Sequence, residues 1–496
     1  MTATSDIKFG TDGWRAIIAD KFTFANVEKV SYAIGHYLTE TYIDGTANKD
    51  TPVLIGFDTR FMADQFAERA ARVLMAMGLN VKVASRDIPT PCIAWATQAE
   101  STCGALQFTA SHNPPEYCGV KYIPPYAGPA TNDITAKIVD NLKHCPAHIA
   151  RSSDSLQLFD ASAPYMEAVK KLVDLKMISA SGLRVAFDAL YSTSRGYIDK
   201  ILLEAGIELE ALHDFRDPLF GGGMPEPTPP YLTELVAKIK AGNFDIGIAT
   251  DGDADRFAII DGQGTFFSPN QLLCLLTRHL VKNHGMSGAI VRTVATSHML
   301  NHVAAHYKLS LIETPVGFKY IGEKMRTEDV LIGGEESGGV SIKGHIPEKD
   351  GILANLLVIE MLAYEKKPLA QIWQDLENEI GVKFFQRRGD LHLTKQTQQQ
   401  LLAYLAEHPI ATLVGERLYK VDRADGLKLY HDPDNWLLIR PSGTEPVIRV
   451  SGEGRSEQLI DSLMVDFKSQ IDEILKGFKV DALPTSKQKQ TTAEVI

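Results

Sequence analysis

Four short stretches of this 496-residue chain carry side chains that could do chemistry together. The first is Thr109-Ala110-Ser111-His112-Asn113-Pro114-Pro115. It is either a proline-stiffened turn with a capping hydroxyl or a nucleophilic or phosphorylated serine with His112 beside it. No G-x-S-x-G elbow is present, which turns the reading away from acyl-transfer hydrolysis. The second is Asp251-Gly252-Asp253-Ala254-Asp255-Arg256, with carboxylates at alternate positions. Three such groups repel one another, and a hard divalent cation is their natural neutralising partner. An EF-hand is excluded, because its sixth position is Arg256 rather than Gly and its twelfth is Gly262 rather than Glu. An aspartate-nucleophile phosphatase and a solvated acidic turn stay open from this loop alone. All-oxygen ligation points to Mg²⁺ rather than zinc.

The third stretch, Gly333-Gly334-Glu335-Glu336-Ser337-Gly338-Gly339, offers acceptors and a hydroxyl in a glycine-rich setting. It suits sugar hydroxyls, or is an ordinary turn. The fourth, Arg440-Pro441-Ser442-Gly443-Thr444-Glu445 with Arg449 just beyond, combines a guanidinium, two hydroxyls and turn N–H groups. That is the chemistry of a phosphate cradle, or a β-turn with a surface arginine. Taken together, a phospho-acceptor, a cation loop, a hydroxyl reader and a phosphate cradle describe phosphoryl transfer on a sugar.

The elements that must position these loops are legible from periodicity. Val53–Phe57 reads as a buried strand, followed by an amphipathic helix through Phe66, Ala70, Val73, Leu74 and Met77 that ends at Gly78. Strands at Val81–Ala84 and Gly104–Thr109 follow, the second running into Ser111. The pattern returns with a strand at Leu183–Phe187, a helix at Ser194–Ala205 and a strand at Phe244–Ala249 ahead of Asp251. It returns again with a strand at Ala289–Val294, a helix at His298–His306 and a strand at Val330–Ile332 ahead of the glycine-rich loop. Each α/β unit thus sends a polar loop from the C-terminal end of a strand, where ligands of open α/β sheets bind. From about Val382 to Val480 the pattern changes to α+β, and Pro484–Ile496 is a polar tail.

The expected fold is therefore α/β, with three similar mixed α/β domains and a C-terminal α+β domain; their arrangement around a central cleft is what the family resemblance given below implies. The expected boundaries are 1–150, 160–262, 263–380 and 381–480, with a tail at 481–496. Length alone calls for several domains. A hydrophobic content of 44% and a charged content of 23% are ordinary for a globular protein. No apolar run is long enough for a membrane span, and no secretion signal opens the chain. The five cysteines are scattered and form no CxxC pair, which fits a cytoplasmic protein. A net charge of −11 excludes nucleic acid as the main partner.

In combination and order, TASHNPP, DGDADR, GEESGG and RPSGTEP, with Phe9-Gly10-Thr11-Asp12-Gly13-Trp14-Arg15 ahead of them, resemble the α-D-phosphohexomutase family, the phosphoglucomutases and phosphomannomutases. The resemblance implies four domains around a cleft and an isomerase of hexose 1- and 6-phosphates. It implies that Ser111 carries the transferable phosphate. Asp251, Asp253 and Asp255 would hold Mg²⁺ together with a phosphoserine oxygen, with Arg256 in support. Arg15, His112 and Lys121 match positions that handle proton transfer and the phosphoserine surroundings. Glu335 and Ser337 resemble the pair that holds sugar hydroxyls, and Lys319 and Lys349 match basic cleft positions. Arg440, Ser442, Gly443, Thr444 and Arg449 resemble the phosphate-binding loop. The small-molecule partners would be sugar phosphates, glucose favoured and mannose possible, with hexose 1,6-bisphosphate as intermediate and activator, on a monomer or dimer. A glucosamine phosphate mutase, a glucose-1,6-bisphosphate synthase using the same serine, and a non-catalytic sugar-phosphate sensor are the alternatives. Two departures stand out. Gly339 replaces the His often found in dual-specificity enzymes, and Asp188–Thr193 lacks the glycines usual in that turn.

Overall fold

The computed structural model describes residues 7–9, 13–43, 50–441 and 447–478. The chain divides into a larger unit running to Ile380 and a smaller C-terminal unit from Gly381, which also takes in Ser297–Met299. The larger unit holds three sheets. The first contains β1 (Trp14–Ile17), β2 (Val53–Phe57), β3 (Val81–Ala84), β4 (Ala105–Phe108), β5 (Tyr117–Ile123) and β6 (Gln157–Phe159) in the order β1-β5-β4-β2-β3-β6. The second contains β7 (Arg184–Asp188), β8 (Glu208–Leu212), β9 (Ile246–Thr250), β10 (Phe257–Asp261) and β11 (Phe266–Phe267) in the order β11-β10-β9-β7-β8. The third contains β12 (Ala289–Thr293), β13 (Leu311–Thr314), β14 (Val330–Gly334) and β15 (Val340–Ile342) in the order β13-β12-β14-β15.

One motif recurs in all three. A first strand sits in the middle, its successor pairs parallel on one side, and the third pairs parallel on the other. The third strand then turns back on itself into an antiparallel fourth: β4 to β5, β9 to β10, β14 to β15. The three chemically loaded loops of this unit are the tips of those three hairpins. The central parallel strands are predominantly apolar, and β2, β4, β7, β9, β12 and β14 are almost wholly buried, as expected of sheets covered on both faces.

Two sequence expectations change in detail. Gly333 and Gly334 belong to β14 rather than to the loop: they pair with Ser341 and Val340 on one side and with Val291 and Arg292 on the other, so the turn begins only at Glu335. The helix expected over Ser194–Ala205 is shorter, Ile198–Glu204. Upstream of it, Leu190 and Tyr191 adopt left-handed backbone (φ 46° and 57°), and the buried hydroxyls of Ser192, Ser194 and Thr250 bond one another instead of starting a helix. The glycine-poor turn thus keeps the glycine-like conformation without the glycines.

The C-terminal unit is α+β. Its main sheet runs β16 (Phe385–His392), β22 (Val447–Gly454), β21 (Trp436–Pro441), β20 (Leu427–Tyr430), β19 (Lys420–Asp422), with a small ribbon of β17 (Thr412–Leu413) and β18 (Glu416–Arg417). The helices Lys395–Glu407 and Glu457–Lys476 contribute Leu401, Leu405, Ile460, Leu463, Phe467 and Ile471 to one core with Leu429, Leu437, Ile448 and Val450. Among the described residues, no helix is long and apolar enough to cross a membrane.

Candidate active site

The tip between β4 and β5 brings Ser111 out of the strand with a left-handed backbone, φ 52°. For a non-glycine residue this conformation is strained and needs surrounding structure to hold it. The Thr109 hydroxyl accepts from the Ser111 N–H at 2.8 Å. Arg60 supplies the rest. Its guanidinium is wholly buried and donates to the carbonyl oxygens of Ser111 (2.6 Å), Asn113 (2.6 Å), Pro114 (2.7 Å) and Tyr117 (3.0 Å). Its Nε donates to buried Asp58 at 3.1 Å. Burial pushes the Asp58 carboxyl up to about 6 even with the arginine beside it. Arg15, on β1 opposite Gly119, donates to the Asn113 side chain at 2.7 Å. His112 Nδ1 lies 3.4 Å from the Ser111 hydroxyl.

The tip between β9 and β10 carries the three aspartates, all buried. A solvated acidic turn is thereby excluded. Each offers an oxygen within 4.8 Å of the others. The Ser111 hydroxyl donates to Asp251 Oδ2 at 2.6 Å, joining the first tip to the second. Lys121, on β5, donates to Asp253 (2.7 Å) and Asp255 (3.1 Å), and Lys349 lies 3.3 Å from Asp255 and 3.0 Å from buried Glu348. Burial, then repulsion from Asp253 and Asp255, pushes Asp251 well above the usual carboxylate range. Asp255 is equally buried, but Lys121, Lys349 and Arg256 hold it well below that range. Arg256 itself caps the turn through its N–H on Asp251 at 3.0 Å.

Two glycines permit this density. A β-carbon on Gly252 would stand 2.6 Å from the Ser111 carbonyl oxygen, and one on Gly351 would stand 2.3 Å from that of Arg256. Gly351 opens the buried helix Gly351–Glu365, and its N–H donates to the Ala254 carbonyl at 3.0 Å. The donor set suits a hard cation. Asp253 Oδ1 and Asp255 Oδ1 are buried acceptors with no hydrogen-bond partner, which is the arrangement expected of oxygens meant for an ion.

The third tip lies against the second: the Phe257 N–H donates to the Gly338 carbonyl at 3.2 Å. Glu335 accepts from the Gly317 N–H at 3.0 Å and from the Ser337 hydroxyl at 3.4 Å. Lys349 packs on Gly339, where any side chain would strike its methylenes. Lys319 reaches the Asn132 side chain at 2.7 Å. Ser111, Arg15, His112, Lys121, the three aspartates, Arg256, Glu335, Ser337, Lys319 and Lys349 therefore all belong to the larger unit.

Arg440 and Arg449 belong to the C-terminal unit, directly opposite each other on β21 and β22 and so on one face. Like charges so placed repel, and Asp425, 3.2 Å from Arg440, offsets part of this. Two opposed guanidinium groups make a ready anion site. Ser442, Gly443 and Thr444 lie outside the described residues.

Sequence reasoning missed Arg60, Thr90 and Gly351. Thr90 opens the helix Thr90–Ala99 and donates to Asp253 Oδ2 at 2.6 Å. Arg60 and Thr90 stand near no motif, and Gly351, although two residues beyond Lys349, gives no sign of its close packing in the sequence; their signal was type: an arginine after a strand, a threonine beside a proline, a glycine opening an apolar helix.

Comparison with known proteins agrees with this arrangement. Models of the phosphoglucomutase/phosphomannomutase α/β/α domains I, II and III match residues 6–146, 163–264 and 268–380, and the C-terminal domain model matches 395–470. A phosphoglucomutase/phosphomannomutase of Thermococcus kodakarensis is 29% identical over 471 residues, covering 95% of this chain and 99% of the relative. A phosphoglucosamine/phosphogalactosamine mutase of Sulfurisphaera tokodaii is 27% identical over 94% of this chain and 99% of its own length. The crystal structure of a putative phosphomannomutase from Thermus thermophilus superposes with a TM-score of 0.82 at 32% identity, covering 94% of this chain and 99% of that one. The chain belongs to the phosphoglucomutase/phosphomannomutase family and is an isomerase of the phosphohexomutase type.

Proposed function

We propose that the chain interconverts hexose 1-phosphates and hexose 6-phosphates through a phosphoserine at position 111, with glucose phosphates preferred and mannose phosphates accepted. The observation that carries the reading is the 2.6 Å contact between the Ser111 hydroxyl and a buried cluster of three aspartates. Asp251, Asp253 and Asp255 would hold Mg²⁺ with an oxygen of the phosphoserine. When bound, the ion neutralises charge on the group being transferred.

The chain's own residues do the rest. Arg60 and Thr109 fix the backbone from which the phosphoryl group departs, which is where positioning matters most in such a transfer. The P–Oγ bond of Ser111 breaks while a bond forms to the free sugar hydroxyl, giving the 1,6-bisphosphate. The other phosphate then returns to Ser111 after the sugar has turned over. Glu335 and Ser337 hold sugar hydroxyls in either orientation, while Arg440 and Arg449, with Ser442, Gly443 and Thr444, hold the phosphate that is not reacting. The hydroxyl proton goes to a neighbouring base. Arg15 gives up a proton only when strongly perturbed, which leaves His112 and Lys121, and pH–rate profiles of His112→Gln and Lys121→Met separate them.

Phosphorus NMR of the protein with Mg²⁺ and each hexose 1-phosphate, with and without 1,6-bisphosphate, tests the proposal. The 6-phosphate should accumulate catalytically, fastest with glucose. Stoichiometric release of bisphosphate would make the protein a synthase, and tight binding without turnover would make it a sensor.

A further inference from the structure

A second cluster of metal-ligating side chains lies in the larger unit, on segments that the proposed transfer does not use. His279 lies in the last turn of the helix Pro269–Lys282, His284 follows two residues after that helix, and Glu360 lies on the helix Gly351–Glu365. His279 Nε2 is 3.0 Å from Glu360 Oε2, and His284 Nε2 is 3.0 Å from Glu360 Oε1. All three ligating atoms fall within 4.8 Å of one another. We propose that His279, His284 and Glu360 form a site for a borderline transition-metal dication such as Zn²⁺, separate from the three-aspartate site.

Three observations support it. Glu360 and His279 are fully buried, and among the described residues no lysine or arginine pairs with Glu360. The buried carboxylate is held by the two imidazoles and the Asp174 N–H, and a dication seated between the three side chains would supply its compensating charge directly. Secondly, the two nitrogen–oxygen separations of 3.0 Å are already close to those of a bound set. Ligands about 2.1 Å from a tetrahedral zinc stand roughly 3.4 Å apart, a few tenths of an ångström more than here. Thirdly, supporting contacts are in place. The Asp174 N–H donates to Glu360 Oε1 at 2.6 Å, and Tyr364 donates to the Asp174 carboxylate at 3.0 Å. Asn283 contacts His279 Nδ1 at 2.9 Å. A half-turn of its amide presents an oxygen to an Nδ1–H, leaving Nε2 free to ligate. The carbonyl end of the helix Pro269–Lys282 also favours a cation here. His284 is 22% exposed, which opens the cluster to solvent on one side.

The nitrogen-bearing donor set separates the two sites chemically. Two imidazoles and one carboxylate select zinc or cobalt, whereas the three aspartates suit magnesium. The full-length protein, held in excess Mg²⁺, is titrated with Co²⁺ while visible absorbance and thermal midpoint are followed. One equivalent should produce the d–d band of four-coordinate cobalt and raise the midpoint, and Zn²⁺ should bleach the band. His284→Ala, at the exposed edge, should weaken binding by roughly 100-fold or more while leaving mutase turnover unchanged, and Glu360→Gln should abolish the band. Absence of a band in the unaltered protein, or an unchanged titration in His284→Ala, would overturn the proposal.

Discussion

The first two hairpin tips and the third are built on the same strand arrangement, yet they are held very differently. Around Ser111 and Asp251 the serine hydroxyl and the three carboxylates are buried, and side chains from distant segments tie the backbone that carries them. Arg60 takes four carbonyls, Thr90 and Lys121 take Asp253, and Gly252 and Gly351 let backbone touch backbone. Around Glu335–Gly339 the two side chains at the apex, Glu336 and Ser337, are half-buried, and the Ser337 hydroxyl donates to Glu335 across a long 3.4 Å. The strand pattern therefore delivers a loop, and the side chains brought from elsewhere decide its stiffness. The difference suits the proposed chemistry. A transferring phosphoryl group needs fixed partners, whereas a sugar bound in two orientations needs a holder with slack.

Ser111→Ala should break the first tip outright and abolish turnover in both directions with the fold intact by circular dichroism; surviving transfer would remove Ser111 from the chemistry. Arg60→Met comes next. It leaves Asp58 buried without its cation and four carbonyls without their donor, and removing one partner of a buried pair costs about 3–5 kcal/mol. Chemical denaturation should show that loss, and kcat should collapse in whatever protein still folds. Gly252→Ala pushes a methyl into the Ser111 carbonyl and should cost about 1–3 kcal/mol as an overpacking change, with kcat falling far more than KM rises. Should Gly252→Ala leave kcat untouched, the stiffness attributed to these two tips would be immaterial.

Much of this was legible before any coordinates. Period and punctuation located Val53–Phe57, Val81–Ala84 and the strands leading to each tip, because parallel strands buried on both faces read as short apolar runs. What failed was local and had local causes. Gly333 and Gly334 look like loop residues by type, and only their pairing on both sides makes them strand. Ser194 looks like a helix start, but its hydroxyl turns inward to Thr250. Arg60 lies 51 and 53 positions from the two carbonyls it grips at 2.6 Å, and Gly351 is distant in sequence from the Arg256 carbonyl it abuts; neither contact leaves a trace in spacing. The same holds for His279, His284 and Glu360, which are unremarkable until two helices bring them together.

The smallest effect is the one that best probes the third tip. Ser337→Ala removes a hydroxyl whose bond to Glu335 is already long, so the folded chain loses little and the thermal midpoint should hardly move. Its consequence lies with the sugar. One neutral hydrogen bond is worth about 0.5–1.5 kcal/mol, so KM should rise by roughly 2–10-fold while kcat stays within a factor of about two. Because a holder with slack serves both orientations, the rise should be similar for 1-phosphate and 6-phosphate. A rise confined to one direction would mean that Ser337 reads a single orientation, and a collapse of kcat would place the third tip among the rigid ones.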